Sequence, residues 1–139
     1  MNPEFRRNLW LELTPTRLGV VVFALLSVLA LAYVLGSDPR TTVAPAARFI
    51  FFVLVILWGG RLAADSVVQE INERTWDAQR MSALGPWSMS WGKLFGAPSA
   101  SWVAGLIAIA AILLSGGGVL VAVVELMLVG VLCHAVALT

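Results

Sequence analysis

An uncharged apolar run over residues 18–35 constrains the fold of this chain more than any other feature of its sequence. At about 1.5 Å per residue, a helix of this length nearly crosses the roughly 30 Å hydrocarbon core of a bilayer. The composition agrees, since 60% of the residues are hydrophobic and only 12% are charged, about half the charged share of soluble domains. We therefore expect an all-α, polytopic membrane protein. A cleaved signal peptide is the less favoured interpretation, because the run is long and begins only at residue 18.

Three further apolar stretches predict additional spans, over residues 46–64, 102–115 and 119–137. Pro45 suits the start of the first of them. Residues 116–118 are all glycine and predict a tight helical hairpin between the last two. The length fits a single domain, residues 1–139. We thus predict one transmembrane domain with four transmembrane helices.

The basic residues are distributed unequally between the two sides that these spans define. Six of the nine Lys and Arg residues lie before the first span or after the second, and a seventh, Arg61, lies at the end of the second span next to residues 65–100, whereas only Arg40 and Arg48 lie near the first connecting loop. Basic residues are enriched in cytoplasmic loops. We therefore expect the amino terminus and residues 65–100 to lie in the cytoplasm, in a protein of the cell (plasma) membrane.

Residues 1–16 predict a short helix that lies in the membrane interface. Phe5, Leu9 and Leu13 recur at helical spacing, and polar residues occupy much of the remaining circumference. Pro15 is expected to end this helix before the first span. The alternative is a polar tail with a few hydrophobic residues.

Residues 65–100 form a longer connection than two neighbouring spans need, and loops of this size are usually functional. Helical periodicity extends over residues 65–84 and should end at Gly85-Pro86, because proline lacks the N–H that a helix requires. Residues 87–96 then combine aromatic side chains with one lysine. This mixture is typical of a short amphipathic helix that returns to the bilayer with its tryptophans at headgroup depth.

Three side chains of the first part of this loop point to a protein partner. Trp76, Arg80 and Met81 lie on or near one side of the predicted helix, and Trp and Arg are enriched at interface hot spots. A solvated helix followed by an interfacial anchor is the alternative. The chain has no basic block of the kind that nucleic-acid binders need, so no nucleic acid is expected among its partners.

An acidic residue, a Thr-Trp pair, a Leu-x-Pro break and a Gly-Lys-Leu return follow one another in the loop. They are Glu70 or Glu73, Thr75-Trp76, Leu84-Gly85-Pro86 and Gly92-Lys93-Leu94. The predicted elements come in the order interfacial helix, span, outer loop, span, cytoplasmic segment, span. This pattern resembles the permease, the membrane-spanning subunit of type-2 ABC transporters.

The resemblance implies the permease of an ATP-driven exporter, whose loop carries a coupling helix that docks on a separate ABC ATPase subunit. ATP would act through that partner, and no cofactor is expected to bind this chain directly. A second permease copy or half and membrane lipids are the other expected partners. Because such permeases usually have more spans, we expect an amino-terminal fragment of a longer permease or an unusually short relative.

The resemblance also assigns roles by position. ATPase contacts are expected from Glu70, Glu73, Thr75, Trp76, Arg80 and Met81. The turn of the loop and its return to the membrane are expected from Gly85, Pro86, Gly92 and Lys93.

Glu125 and His134 are ionisable residues inside the fourth predicted span. A charge at mid-bilayer costs at least about 2–3 kcal/mol, so it usually faces a cavity or a partner. Glu125 hydrated or hydrogen-bonded near the outer leaflet is the favoured interpretation, and a substrate or proton site is the alternative. His134, on the opposite side of the helix, is expected to be a structural donor near the inner interface.

No catalytic or metal-binding set is predicted. One His, one Cys and scattered carboxylates lack the spacing of common metal sites, and the phosphate loop of an ATPase is missing. We therefore do not expect an enzyme. Two other functions stay open, namely a small transporter that is driven by an ion gradient and uses Glu125, and a membrane scaffold protein without transport activity.

Overall fold

A computed structural model describes residues 3–72, 86–116 and 120–139 of the chain, and every regular element in these ranges is helical. The helices are α1 (Pro3–Glu12), α2 (Pro15–Leu35), α3 (Pro39–Phe51), α4 (Gly60–Asn72), α5 (Pro86–Gly96), α6 (Ser99–Leu114) and α7 (Leu120–Ala137). A π-helical segment, Phe52–Gly59, joins α3 to α4 without a break. We call this continuous run of α3, the π-helical segment and α4 the long helix.

Three helical stretches in the described part are long and apolar enough to cross a membrane, namely Pro15–Leu35, Pro39–Gln69 and Leu120–Ala137. A fourth crossing is formed if α6 and the end of α5, which are bent by 54° at residues 97–98, act as one broken span. The prediction of an all-α chain with several apolar helices is therefore confirmed.

The long helix begins earlier than the predicted second span. Asp38 is its N-cap and accepts a hydrogen bond from the backbone N–H of Arg40 at 3.2 Å, while Pro39 occupies the first helical turn. Pro45, which was expected to start the span, lies inside α3. Proline in the first turn of a helix removes no helical hydrogen bond, so Asp38-Pro39 is a favourable start. Pro45 lies further inside, where it leaves one carbonyl without its N–H donor, but the helix continues through it.

The predicted amino-terminal helix is present and ends at Glu12. Pro15 does not end it but starts α2, after a short break at Leu13 and Thr14. Helix α1 packs along α5, so the two short helices lie together at one end of the bundle.

The core lies where α6 and α7 cross the long helix. Phe51 and Val55 are fully buried there, together with Ala108 and Ile112 of α6. Glycines allow close approach, since a Cβ added at Gly105 would lie only 2.6 Å from Val55 Cγ2. Small residues at helix crossings are the usual way to pack helices in a bilayer, where apolar burial alone supplies little driving force.

Helix α6 ends at the predicted glycine turn. Ser115 is its C-cap, and Gly116 follows with φ 71°, a left-handed conformation that glycine adopts without strain. The backbone N–H of Gly116 bonds the carbonyl of Leu113 at 3.1 Å. The other two glycines of the predicted turn lie outside the described residues.

Candidate functional site

The pattern of helical hydrogen bonds changes at the end of the π-helical segment in the long helix. Within a π-helix each N–H bonds the carbonyl five residues before it. The N–H of Gly60 bonds the carbonyls of Ile56 and Leu57 instead, so Val55, five residues before Gly60, is not among its acceptors. A carbonyl at such a change of pairing can accept a donor from another helix, which is favourable inside a membrane-spanning segment.

His134 of α7 supplies that donor. Its Nε2 lies 2.8 Å from the Val55 carbonyl oxygen, and its side chain is fully buried. Because a carbonyl can only accept, Nε2 carries the proton of this hydrogen bond. The neighbouring Cys133, which is partly buried, places Sγ 3.5 Å from the carbonyl oxygen of Ile56. The structural-donor role expected for His134 is therefore confirmed.

Gly59 lets α6 and α7 approach the long helix at this point. A Cβ added at Gly59 would lie 2.5 Å from His134 Nε2 and 2.5 Å from Ser101 Oγ. Ser101 is fully buried and donates to the carbonyl of Pro98 at 2.7 Å. The long helix, α6 and α7 therefore meet at Gly59, where α6 contributes Ser101 and α7 contributes His134.

Three buried polar atoms near the π-helical segment have no hydrogen-bond partner within the described structure. They are His134 Nδ1, Trp102 Nε1 and Ser99 Oγ. The rings of Trp102 and His134 pack edge to face with their centroids 5.1 Å apart. Buried polar atoms of this kind usually bond an ordered water or a ligand. The crossing of α6, α7 and the long helix thus combines close packing with buried polar atoms.

A continuous series of rings connects this crossing to α5. It consists of Trp87, Trp91, Phe95, Trp102 and His134, and we call it the aromatic ladder. Successive ring centroids lie 6.0, 5.1, 5.9 and 5.1 Å apart. The first three rings recur at every fourth residue of α5, which places them on one face of that helix. The series runs from the exposed Trp87 to the fully buried His134.

The residues expected to contact an ATPase lie mostly beyond what the structure describes. Glu70 belongs to α4, which continues the long helix to Asn72. Outside the described residues lie Glu73, Thr75, Trp76, Arg80, Met81 and Gly85. The prediction of their role stays a prediction.

The expected membrane-return residues are found in α5. Pro86 is its first residue, and Gly92 and Lys93 are both buried. Lys93 is 6% exposed and takes part in an interaction within the described structure. Its expected place at the inner membrane surface stays a prediction.

Glu125 does not approach the polar crossing. It lies on the exposed side of α7, whereas His134 faces inward, as their separation of nine residues predicts. Glu125 borders a cavity of about 360 Å³ together with Arg48 of α3 and the apolar side chains of Ala122, Leu126 and Val129. Opposite charges beside one cavity offset part of the cost of placing either in a bilayer.

Replacement of His134 tests the role of its hydrogen bond. We expect His134→Phe to lower the free energy of unfolding by about 1–3 kcal/mol, because the Val55 carbonyl loses its donor. His134→Gln, which keeps an N–H donor, should recover part of this loss. Denaturant titration of the purified protein in mild detergent measures both, with the exposed Leu132→Phe of the same helix as control. Equal losses in the Phe and Gln variants would show that the hydrogen bond to Val55 does not account for the loss.

Among the described residues no three His, Cys, Asp or Glu side chains lie close enough to hold a metal ion. No protein-family model matches the chain, and neither a curated protein nor a solved structure is found to be similar to it.

Proposed function

We propose that this chain is a membrane-spanning permease subunit of an ATP-driven ABC exporter. In this proposal α1, α5 and the loop between α4 and α5 lie on the cytoplasmic side of the cell membrane, and the loop docks on a separate ATPase subunit. The resemblance of the loop sequence to type-2 permeases is the origin of the proposal.

The aromatic ladder is the observation that supports this proposal most. A subunit that is driven from its loop needs a stiff connection between that loop and its membrane helices. Stacked and edge-to-face rings 5.1–6.0 Å apart provide one, from Trp87 at the start of α5 to His134 at the Val55 carbonyl. A plain surface loop would not need to be tied to a polar crossing inside the bundle.

The long helix supplies the second half of the connection. It carries the segment that enters the loop, up to Asn72, and it also contains the π-helical segment that His134 contacts. Both ends of the loop are thus tied to one crossing, directly through α4 and through the ladder from α5. Movement of a docked ATPase would then shift α6 and α7 against the long helix. Such π-helical segments are frequent at functional sites.

The two other functions receive less support. A transporter driven by an ion gradient would rest on Glu125, but Glu125 shares its cavity with Arg48, which gives it a charge-balancing role without transport. A scaffold protein would use the same loop, but it would have no need of a connection from α5 to the polar crossing.

Affinity purification of the tagged protein in mild detergent tests the proposal. We expect an ABC ATPase to co-purify with the wild type and to be lost with Trp76→Ala, because a large aromatic side chain in a partner pocket is a typical interface hot spot. Mass spectrometry identifies the recovered proteins. Tyr33→Ala is the matched control, since it removes a different aromatic ring, which is exposed near the carboxyl end of α2.

Two outcomes would contradict the proposal. The first is the absence of any ATPase from the wild-type sample when the protein is folded and abundant. The second is equal recovery of an ATPase with wild type and Trp76→Ala, which would remove the loop from the interface.

A further inference from the structure

A second cavity lies at the end of the bundle where α1 and α5 pack together. It is about 650 Å³ in volume and is bordered by the junction of α1 and α2, by the long helix and by the start of α6. Its walls are apolar, formed mainly by Leu18, Val20 and Val21 of α2 and by Trp58 and Leu62 of the long helix. Volumes of about 300–1,000 Å³ are usual for small-molecule sites.

The same cavity has a charged border of both signs. Arg17 Nη1 lies 3.4 Å from Glu12 Oε2, and both side chains line the cavity, with the hydroxyl-bearing Thr16 beside them. The Arg17 side chain is 65% exposed and that of Glu12 is 28% exposed, so both can still contact another molecule. An exposed pair of this kind contributes little to stability by itself.

The direction of the cavity follows from the helices that form it. Arg17 is in the first turn of α2, and the apolar wall continues from Leu18 to Val21 into the apolar part of that helix. In a bilayer the charged border therefore lies at headgroup depth and the apolar walls lie at acyl-chain depth. An occupant must be amphiphilic in the same direction.

We propose that this cavity binds one phospholipid with a primary-ammonium zwitterionic headgroup, such as phosphatidylethanolamine. Its phosphate is paired with Arg17 and its ammonium with Glu12, while an acyl chain lies along Val21, Trp58 and Leu62. A phosphatidylcholine has no N–H to donate to Glu12, and a phosphatidylglycerol has no cation at all. The two charges of the border thus select both the class of lipid and its orientation.

Native mass spectrometry of the full chain, incubated in detergent micelles with each of these three lipids in turn, tests the proposal. We expect one phosphatidylethanolamine to be retained per chain, roughly three- to tenfold more than either other lipid, as the loss of one partly exposed hydrogen bond of ordinary strength implies. Glu12→Gln should remove this preference, and Arg17→Gln should lower the retention of all three. Leu62→Trp, which fills the cavity, should abolish retention, whereas Leu132→Trp on the exposed face of α7 should not.

Three outcomes would overturn the proposal. One is equal retention of the three lipids by the wild type, and another is unchanged retention in Leu62→Trp, since both indicate lipid bound only to the outer surface. The third is a dimer mass that Leu62→Trp abolishes, which would assign the cavity to a second copy of the chain. None of these depends on an ATPase, so the result does not decide the proposed transport function.

Discussion

Gly59→Ala is expected to destabilise the bundle strongly. The added Cβ would lie 2.5 Å from both His134 Nε2 and Ser101 Oγ, distances at which atoms must move apart. Neither neighbour can yield easily, because His134 is fully buried and bonded to the Val55 carbonyl, and Ser101 is fully buried and bonded to the Pro98 carbonyl. The substitution therefore forces α6 or α7 away from the long helix.

The size of the effect follows from two contributions. Insertion of one methyl group into a well-packed core costs about 1–3 kcal/mol. Loss of the hydrogen bond between His134 and Val55 adds about 1–3 kcal/mol, because the fully buried His134 N–H then loses its acceptor. We expect Gly59→Ala to show most of both losses in the free energy of unfolding, because the same added Cβ makes both close contacts.

Gly19→Ala is the matched control for this prediction. Gly19 lies in α2, and a Cβ added there has nothing within 4 Å, so the substitution should stabilise the helix slightly. Denaturant titration in mild detergent compares the two variants with the wild type. If Gly59→Ala and Gly19→Ala unfold at the same denaturant concentration, the close approach of the three helices at Gly59 is wrong.

The overall class of this fold was predictable because it depends on composition and local pattern. Long uncharged runs must be helical in a bilayer, since only a helix satisfies its own backbone groups. The start of the long helix was missed although its signal was present, because Asp38-Pro39 is a capping pair and Pro45 is not. The prediction of the span gave more weight to the apolar character of residues 46–64 than to the capping signal at Asp38-Pro39.

The π-helical segment could not be predicted from the sequence. Its residues, Phe52–Gly59, are apolar or glycine and fit an α-helix equally well by local preference. What distinguishes them is that the Val55 carbonyl accepts a hydrogen bond from His134, 79 residues further along the chain. A contact over this separation is fixed by tertiary packing, which a single sequence does not reveal.

The aromatic ladder was partly visible in the sequence. Trp87, Trp91 and Phe95 recur at helical spacing, and the two tryptophans were predicted to lie at headgroup depth. Their continuation through Trp102 to His134 requires the bend of 54° between α5 and α6, which turns one face of α5 toward the crossing. The residues most strongly predicted to contact a partner lie outside the described residues. The structure therefore adds the aromatic ladder but not the partner contacts themselves.

Phe95→Ala is the second substitution for which we expect a large effect, because it interrupts the aromatic ladder. Phe95 is the ring that joins the α5 part of the series to the α6 part, with centroids 5.1 Å from Trp91 and 5.9 Å from Trp102. Each ring contact contributes about 0.5–1.5 kcal/mol. Loss of both removes about 1–3 kcal/mol of coupling, equivalent to a roughly 5- to 150-fold change in a population ratio.

Spin labels on Leu57→Cys of the long helix and Leu106→Cys of α6, both exposed positions, in a Cys133→Ser background measure this coupling. In the complex with the proposed ATPase partner, a non-hydrolysable ATP analogue should shift the distance distribution between the labels, and Phe95→Ala should remove the shift while the ATPase stays bound. Phe23→Ala, which changes an exposed phenylalanine of α2 outside the ladder, should leave the shift intact.

The distance measurement separates two failures that activity alone would confuse, because Trp76→Ala is expected to lose the partner and Phe95→Ala is expected to keep it. A shift of wild-type size in Phe95→Ala would mean that motion reaches the bundle through α4 alone, and the ladder would then be only a packing feature.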